Sequence, residues 1–172
     1  MAPTDPTDPT NTNLPRPYPF EDVEPFIAAI ANTGRIIGID PGTKTFGLAL
    51  SDLSRMIASP LEVIRRTKFA TDSERLLKLI REHEIVGIVV GLPSNLDGTE
   101  GPRAQSVRAF VKNLQKLTPL PILLWDERLS TVAAERALLN ADTSRKKRAE
   151  VIDKVAATVI LQGAMDRMRN SR

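Results

Sequence analysis

Apolar positions along this chain fall into two rhythms, short unbroken runs and helical stripes, and both begin only after residue 20. Residues 1–20 hold Asp-Pro repeats with Pro15, Pro17 and Pro19, too polar and proline-rich to pack a core, and a disordered tail is expected there. Over 21–33, Val23, Phe26, Ile27 and Ile30 recur at helical spacing, which predicts a short helical extension. Arg35–Ile39 and Phe46–Asp52 read as two strands of a hairpin turned at Gly42, and residues 57–65 as a third, with Pro60 at an edge or bulge. Thr71-Asp72-Ser73-Glu74 has capping-box spacing and is expected to open a helix carrying Leu76, Leu77 and Ile80. Ile85–Val90 reads as a strand buried on both faces, and Gly91–Gly98 as a loop of turn formers. A helix over 102–117 should bury Val107, Phe110, Val111, Leu114 and Leu117, with Arg108, Lys112 and Lys116 along an exposed ridge. Pro121–Trp125 is one more strand, followed by helices over about residues 131–139 and 147–168. A three-stranded meander followed by alternating helices and strands predicts an α/β fold: a mixed five-stranded sheet with helices on its faces, occupying residues 34–172.

Composition narrows the chemistry. The 172 residues suit one domain, with 41% apolar and 26% charged residues. Cysteine is absent and His83 is the single histidine, which excludes thiolate sites and the usual zinc constellations. A bound metal must then rely on carboxylates and water, which points to Mg2+ or Mn2+. No apolar run has the length of a membrane span and no signal pattern opens the chain, so a cytoplasmic setting is expected. Residues 1–33 carry five acids against Arg16, and the remainder therefore carries +7 of the overall +3. A basic body suits a polyanionic partner.

The acids lie where chemistry would need them. Asp40 ends the first strand beside a glycine turn, and Asp126-Glu127 end the last. Asp153 shares a helical stripe with Ala156, Ala157, Ile160 and Ala164, small residues that should press on the sheet and carry it inward. Any one acid alone is more often a cap or an ion-pair partner. Three at one sheet edge describe a site for one or two divalent cations of the kind that cleaves phosphodiesters. Alternation sets Asp126 and Glu127 on opposite faces of their strand, so only one can face Asp40. A regular strand end favours Asp126, whereas a turn starting there would aim Glu127.

Gly38-Ile39-Asp40-Pro41-Gly42-Thr43-Lys44, Gly91-Leu92-Pro93, Asp97-Gly98-Thr99-Glu100-Gly101, Asp126-Glu127-Arg128-Leu129-Ser130-Thr131 and Ile152-Asp153-Lys154-Val155-Ala156-Ala157 resemble, in order, the motifs of the YqgF/RuvX family. The resemblance spans about residues 35–168. It implies an RNase H-like fold and either Holliday junction resolution or maturation of the 5′ end of pre-16S ribosomal RNA. It also implies that Asp40, Asp126 or Glu127, and Asp153 hold the metal. Structured RNA is favoured over branched DNA on the resemblance alone, and it brings pre-ribosomal particles in as partners; monomer and homodimer stay open. Lys44, Arg128, Arg103 and Asn95, with Lys146 and Lys147 ahead of Asp153, are candidate substrate contacts, and Thr45-Phe46 departs from the Arg-Ile common in the family. Rival readings are an actin-like or sugar-kinase-like phosphotransferase, for which the chain lacks a second lobe, and a non-catalytic nucleic-acid or ribosome-associated module.

Overall fold

The computed structural model describes residues 19–95, 97–129 and 145–171, with side chains from residue 152 onward in the last segment. The strands are β1 (Arg35–Pro41), β2 (Thr45–Ser51), β3 (Ala58–Arg65), β4 (Ile85–Leu92) and β5 (Ile122–Asp126). They form one sheet in the order β3-β2-β1-β4-β5. The first three are an antiparallel meander, while β4 and β5 run parallel to β1. β3 is an edge strand, and its register skips Leu61 beside Pro60. That is where a proline without an N–H does least damage to the ladder.

Alternation along the strands builds two cores. Ile37, Ile39, Phe46, Leu48, Ile88, Val90, Ile122 and Leu124 face α2 (Phe69–Glu82) and α3 (Pro102–Gln115). Ile36, Ala49, Val89, Leu123 and Trp125 face α1 (Val23–Ala29) and the long α4 (Arg145–Asn170). The helix predicted over 131–139 lies outside the described residues. Among those residues no helix is long and apolar enough to cross a membrane.

Three local expectations are corrected. α2 starts at Phe69, not at the Thr71 capping box: Asp72 accepts hydrogen bonds from the Thr67 backbone N–H (3.0 Å) and hydroxyl (3.1 Å), tying down the chain ahead of the helix. α3 stops at Gln115, which leaves Leu117 46% exposed rather than buried. Arg108 is not a bare ridge residue, for it pairs with Glu21 (2.6 Å) and Glu100 (2.5 Å).

The extension at the N-terminus is integral to the second core. Phe26 is fully buried and Val23 and Ile30 nearly so. Phe20 donates to Ile122 O (2.8 Å) and accepts from Leu124 N–H (2.7 Å), which covers part of the β5 edge.

Candidate active site

β1 continues regularly through Pro41, so Asp40 lies within the strand and is 1% exposed, deeper than its expected place at the strand exit. It points to the α4 face, with Ile36 and Gly38. Its neighbours on either side are glycines. Gly47 is its antiparallel partner on β2, and Gly91 follows Val90, the β4 partner of Ile39. A Cβ on Gly47 would stand 2.7 Å from the carbonyl carbon of Asp153, and closer still to its oxygen. A Cβ on Gly91 would stand 3.0 Å from Glu127 Oε1. The two missing side chains make a cradle beside Asp40 that seats the Asp153 backbone at Gly47, and Ile160 with the Glu127 carboxylate at Gly91.

Each acid reaches the cradle for a local reason. The stripe Ala156, Ala157, Ile160 and Ala164 is buried as expected and lets α4 lie close on β1 and β2, which brings the half-buried Asp153 over Gly47. Glu127 opens a 3-10 turn (Glu127–Leu129) directly after β5 and follows Trp125, whose ring faces α4 at Gly163. Asp126 belongs with Ile122 and Leu124 to the opposite face. There it accepts from Ser94 Oγ (3.1 Å) and from Arg128 through Nε and Nη2 (3.0 and 2.6 Å). Of the strand-end pair, Glu127 lies on the Asp40 face of the sheet, against Gly91, and Asp126 lies on the other.

The Arg128 guanidinium, more than any other partner, holds the Asp126 carboxyl below the usual carboxylate range, with the Arg128 N–H and Ser94 adding to the effect. A depressed carboxylate stabilises the fold above its unfolded-state pKa of about 3.9 and loses that contribution as pH falls through the lower folded value. Arg128→Ala should therefore let the Asp126 carboxyl rise toward its ordinary value in a carboxyl NMR titration; an unmoved pKa would show the pair to be ineffective.

The remaining candidates disperse. Asn95 closes its own loop, bonding Thr99 by Nδ2 to Oγ1 (2.8 Å) and by main-chain N–H to carbonyl (2.9 Å), while Gly98 of that loop abuts Arg128. Asp126 and Arg128 open instead on a cleft of about 550 Å³ shared with Glu21, Glu100 and Arg108. Lys44 is exposed on the β1–β2 turn, and Arg103 is exposed in the first turn of α3. The side chains of Lys146 and Lys147 lie outside the described residues.

Thr45, in sequence only a departure from the family pattern, donates its hydroxyl to Asp153 Oδ2 and so orients that acid. Gly47 was missed altogether, although a glycine inside a strand is itself a sign of close backbone approach.

Asp40 on β1, Glu127 after β5 and Asp153 on α4 share one face of the sheet, and their oxygens are of the kind a hard divalent cation takes. Among the described residues no three such side chains form a closed ligand group. The Asp153 carboxylate accepts from the Thr45 hydroxyl.

Comparisons with known proteins place the chain in a family. Residues 34–167 match the RuvX family model, described as Holliday junction resolvase. The chain belongs to the RuvX family. A relative from Paracoccus denitrificans (strain Pd 1222), named "Putative pre-16S rRNA nuclease", is 65% identical over 149 residues, 87% of this chain and 94% of its own. One of the same name from Ruegeria sp. (strain TM1040) is 62% identical over 153 residues, 89% and 96% of the two chains. Among solved structures, Thermus thermophilus RuvC in complex with a Holliday junction substrate aligns with a TM-score of 0.51 at 14% identity, over 80% of this chain and 97% of that one. That likeness concerns the fold, and it agrees with the RNase H-like arrangement expected of this RuvX chain.

Proposed function

We propose that this RuvX protein is a divalent-metal-dependent nuclease that hydrolyses phosphodiester bonds in structured nucleic acid, with the 5′ end of pre-16S rRNA as its substrate. The observation that carries this reading is the placement of Asp40, Glu127 and Asp153 on one face of the sheet, with Asp153 packed over Gly47 and Glu127 against Gly91. These three acids would hold Mg2+ or Mn2+. The chemistry a divalent cation supplies there is a lowered water pKa and neutralised charge on the leaving oxygen.

The chain's own part is positioning. Burial of Asp40 keeps bulk water from one side of the site, and the close seat of α4 fixes the Asp153 backbone. Thr45 sets the direction of the Asp153 carboxylate. Removing that hydroxyl in Thr45→Val should lower kcat roughly tenfold with little change in melting temperature, and Thr45→Ser should restore most of it. Equal rates for wild type and Thr45→Val would remove Thr45 from the account.

The substrate rests on the names of the relatives. The family's own description favours a second reading, resolution of branched DNA. End-labelled precursor rRNA and a four-way DNA junction, incubated side by side in Mg2+ and in Mn2+ with Asp40→Asn as control, separate the two. Metal-dependent cutting of the RNA that the variant lacks is the expected result. Cutting of the junction alone would move the protein to recombination, and cutting of neither would favour the non-catalytic module.

A further inference from the structure

Cations at this end of the molecule divide into two groups. Arg75, Arg108 and Arg128 are each committed to carboxylates, at 2.5–2.6 Å. Lys44, Arg66 and Arg103 face no acid within ion-pair distance among the described residues. Two of these three line one hollow of about 160 Å³ on the α3 side of the β1–β2 turn. Arg66, Arg103 and Ser106 line it together with residues 41–43 and the apolar Pro102, Val107 and Phe110.

Arg66 is held there deliberately. Its Nη1 donates to Gly42 O (2.7 Å), its main-chain N–H donates to Lys44 O (2.9 Å), and its guanidinium carbon stands 4.6 Å from the centre of the Phe46 ring. Stacking fixes the plane of the fork, while the bond to Gly42 uses one of its five N–H groups. A second arginine lining the same hollow, with no carboxylate among its described lining residues, gives it positive charge suited to a group with several acceptor oxygens. Its wall begins at Pro41, the residue after Asp40.

We propose that this hollow binds a backbone phosphate of the nucleic acid, next to the phosphodiester presented to Asp40. The strand then crosses the end of β1 over the Gly42–Lys44 turn, from the α3 side to the α4 side. The inference rests on the nuclease reading and adds to it a second anchoring point. Arg66, Arg103 and the Ser106 hydroxyl would contact phosphate oxygens and no base, so the contact is independent of sequence.

The test is binding, read by fluorescence anisotropy of a labelled structured RNA with full-length protein in EDTA across 50–200 mM salt. Arg103→Ala, which removes an exposed side chain with no ion pair among the described residues, should weaken binding about five- to tenfold and lower the slope of log affinity against log salt by roughly 0.7–0.9. Adding Arg66→Gln should lower it by nearly as much again. Arg81→Ala, an exposed arginine at the far end of α2, removes equal charge and should leave the slope unchanged. Wild-type affinity and slope in the double variant, in protein that still binds RNA, would overturn the phosphate site and leave the nuclease reading standing. An equal loss in Arg81→Ala would also overturn it, by showing a diffuse charge effect. Wild type that binds neither RNA nor junction DNA would fail the nuclease reading itself, and this inference with it.

Discussion

Asp40→Asn should cost at least about 10³-fold in metal-dependent cleavage, equivalent to some 4 kcal/mol of lost transition-state stabilisation, while the protein stays folded. The side chain keeps its shape and its place on β1, 1% exposed between Gly47 and Gly91. What changes is charge. Because the amide keeps the carboxylate's shape, the apo variant should melt within a few degrees of apo wild type. Metal should then separate the two. A cation that binds only the folded wild type at about 100 times its Kd adds roughly 2.7 kcal/mol. For a chain of this size that corresponds to a rise of about 5–10 °C. The variant should show little of this rise. Thermal melts with and without Mg2+ and Mn2+ read this independently of any substrate. A wild type whose melting point ignores both metals, or a variant that gains as much, would refute the carboxylate metal site even if RNA is cut by other means.

How far such a site can be read from sequence depends on how local the deciding contact is. The five strands follow from apolar runs bounded by turn formers, and each ends within about three residues of its expected limit, because burial on both faces leaves little else for Ile37, Val89 or Leu123 to do. Asp153 was legible too, since the stripe of small residues beside it is a statement about one helix face. The choice between Asp126 and Glu127 was not. Alternation places them on opposite faces, but only the arrangement of the sheet says which face α4 covers, and that depends on contacts far away in the chain. Arg108 misled for the same reason: it looks like part of a basic ridge until Glu21, 87 residues earlier, reaches it. The capping-box spacing at Thr71–Glu74 is real, yet Asp72 is engaged by Thr67, and the helix extends back to Phe69, whose ring meets Phe110 edge-on at 6.2 Å. Tertiary contact outweighed local propensity there.

Gly47→Ala should be among the most damaging single-methyl changes in the protein, in stability and in activity together. Most strand glycines gain from alanine, because the unfolded chain loses freedom. Here the added Cβ would stand 2.7 Å from the Asp153 carbonyl carbon and 3.3 Å from its Cα, and these are backbone atoms that no rotamer change can move. Relief requires α4 to lift from β2, which disturbs the close seat at Gly38, where a Cβ would already be 2.8 Å from Leu161 Cβ. Overpacking of this kind costs about 1–3 kcal/mol or more, or roughly 3–10 °C of melting temperature. The same displacement pulls Asp153 away from Asp40, so kcat should fall by at least about tenfold, even at temperatures where the variant is fully folded. Gly101→Ala is the control for added bulk: nothing lies within 4 Å of the added carbon, so its melting point should fall only by what a lost N-cap glycine costs, about 1 kcal/mol, and its rate should hardly change. If Gly47→Ala melts and cleaves like Gly101→Ala, α4 does not rest on Gly47 in solution, and the cradle that brings Asp153 to Asp40 is not what positions the acids.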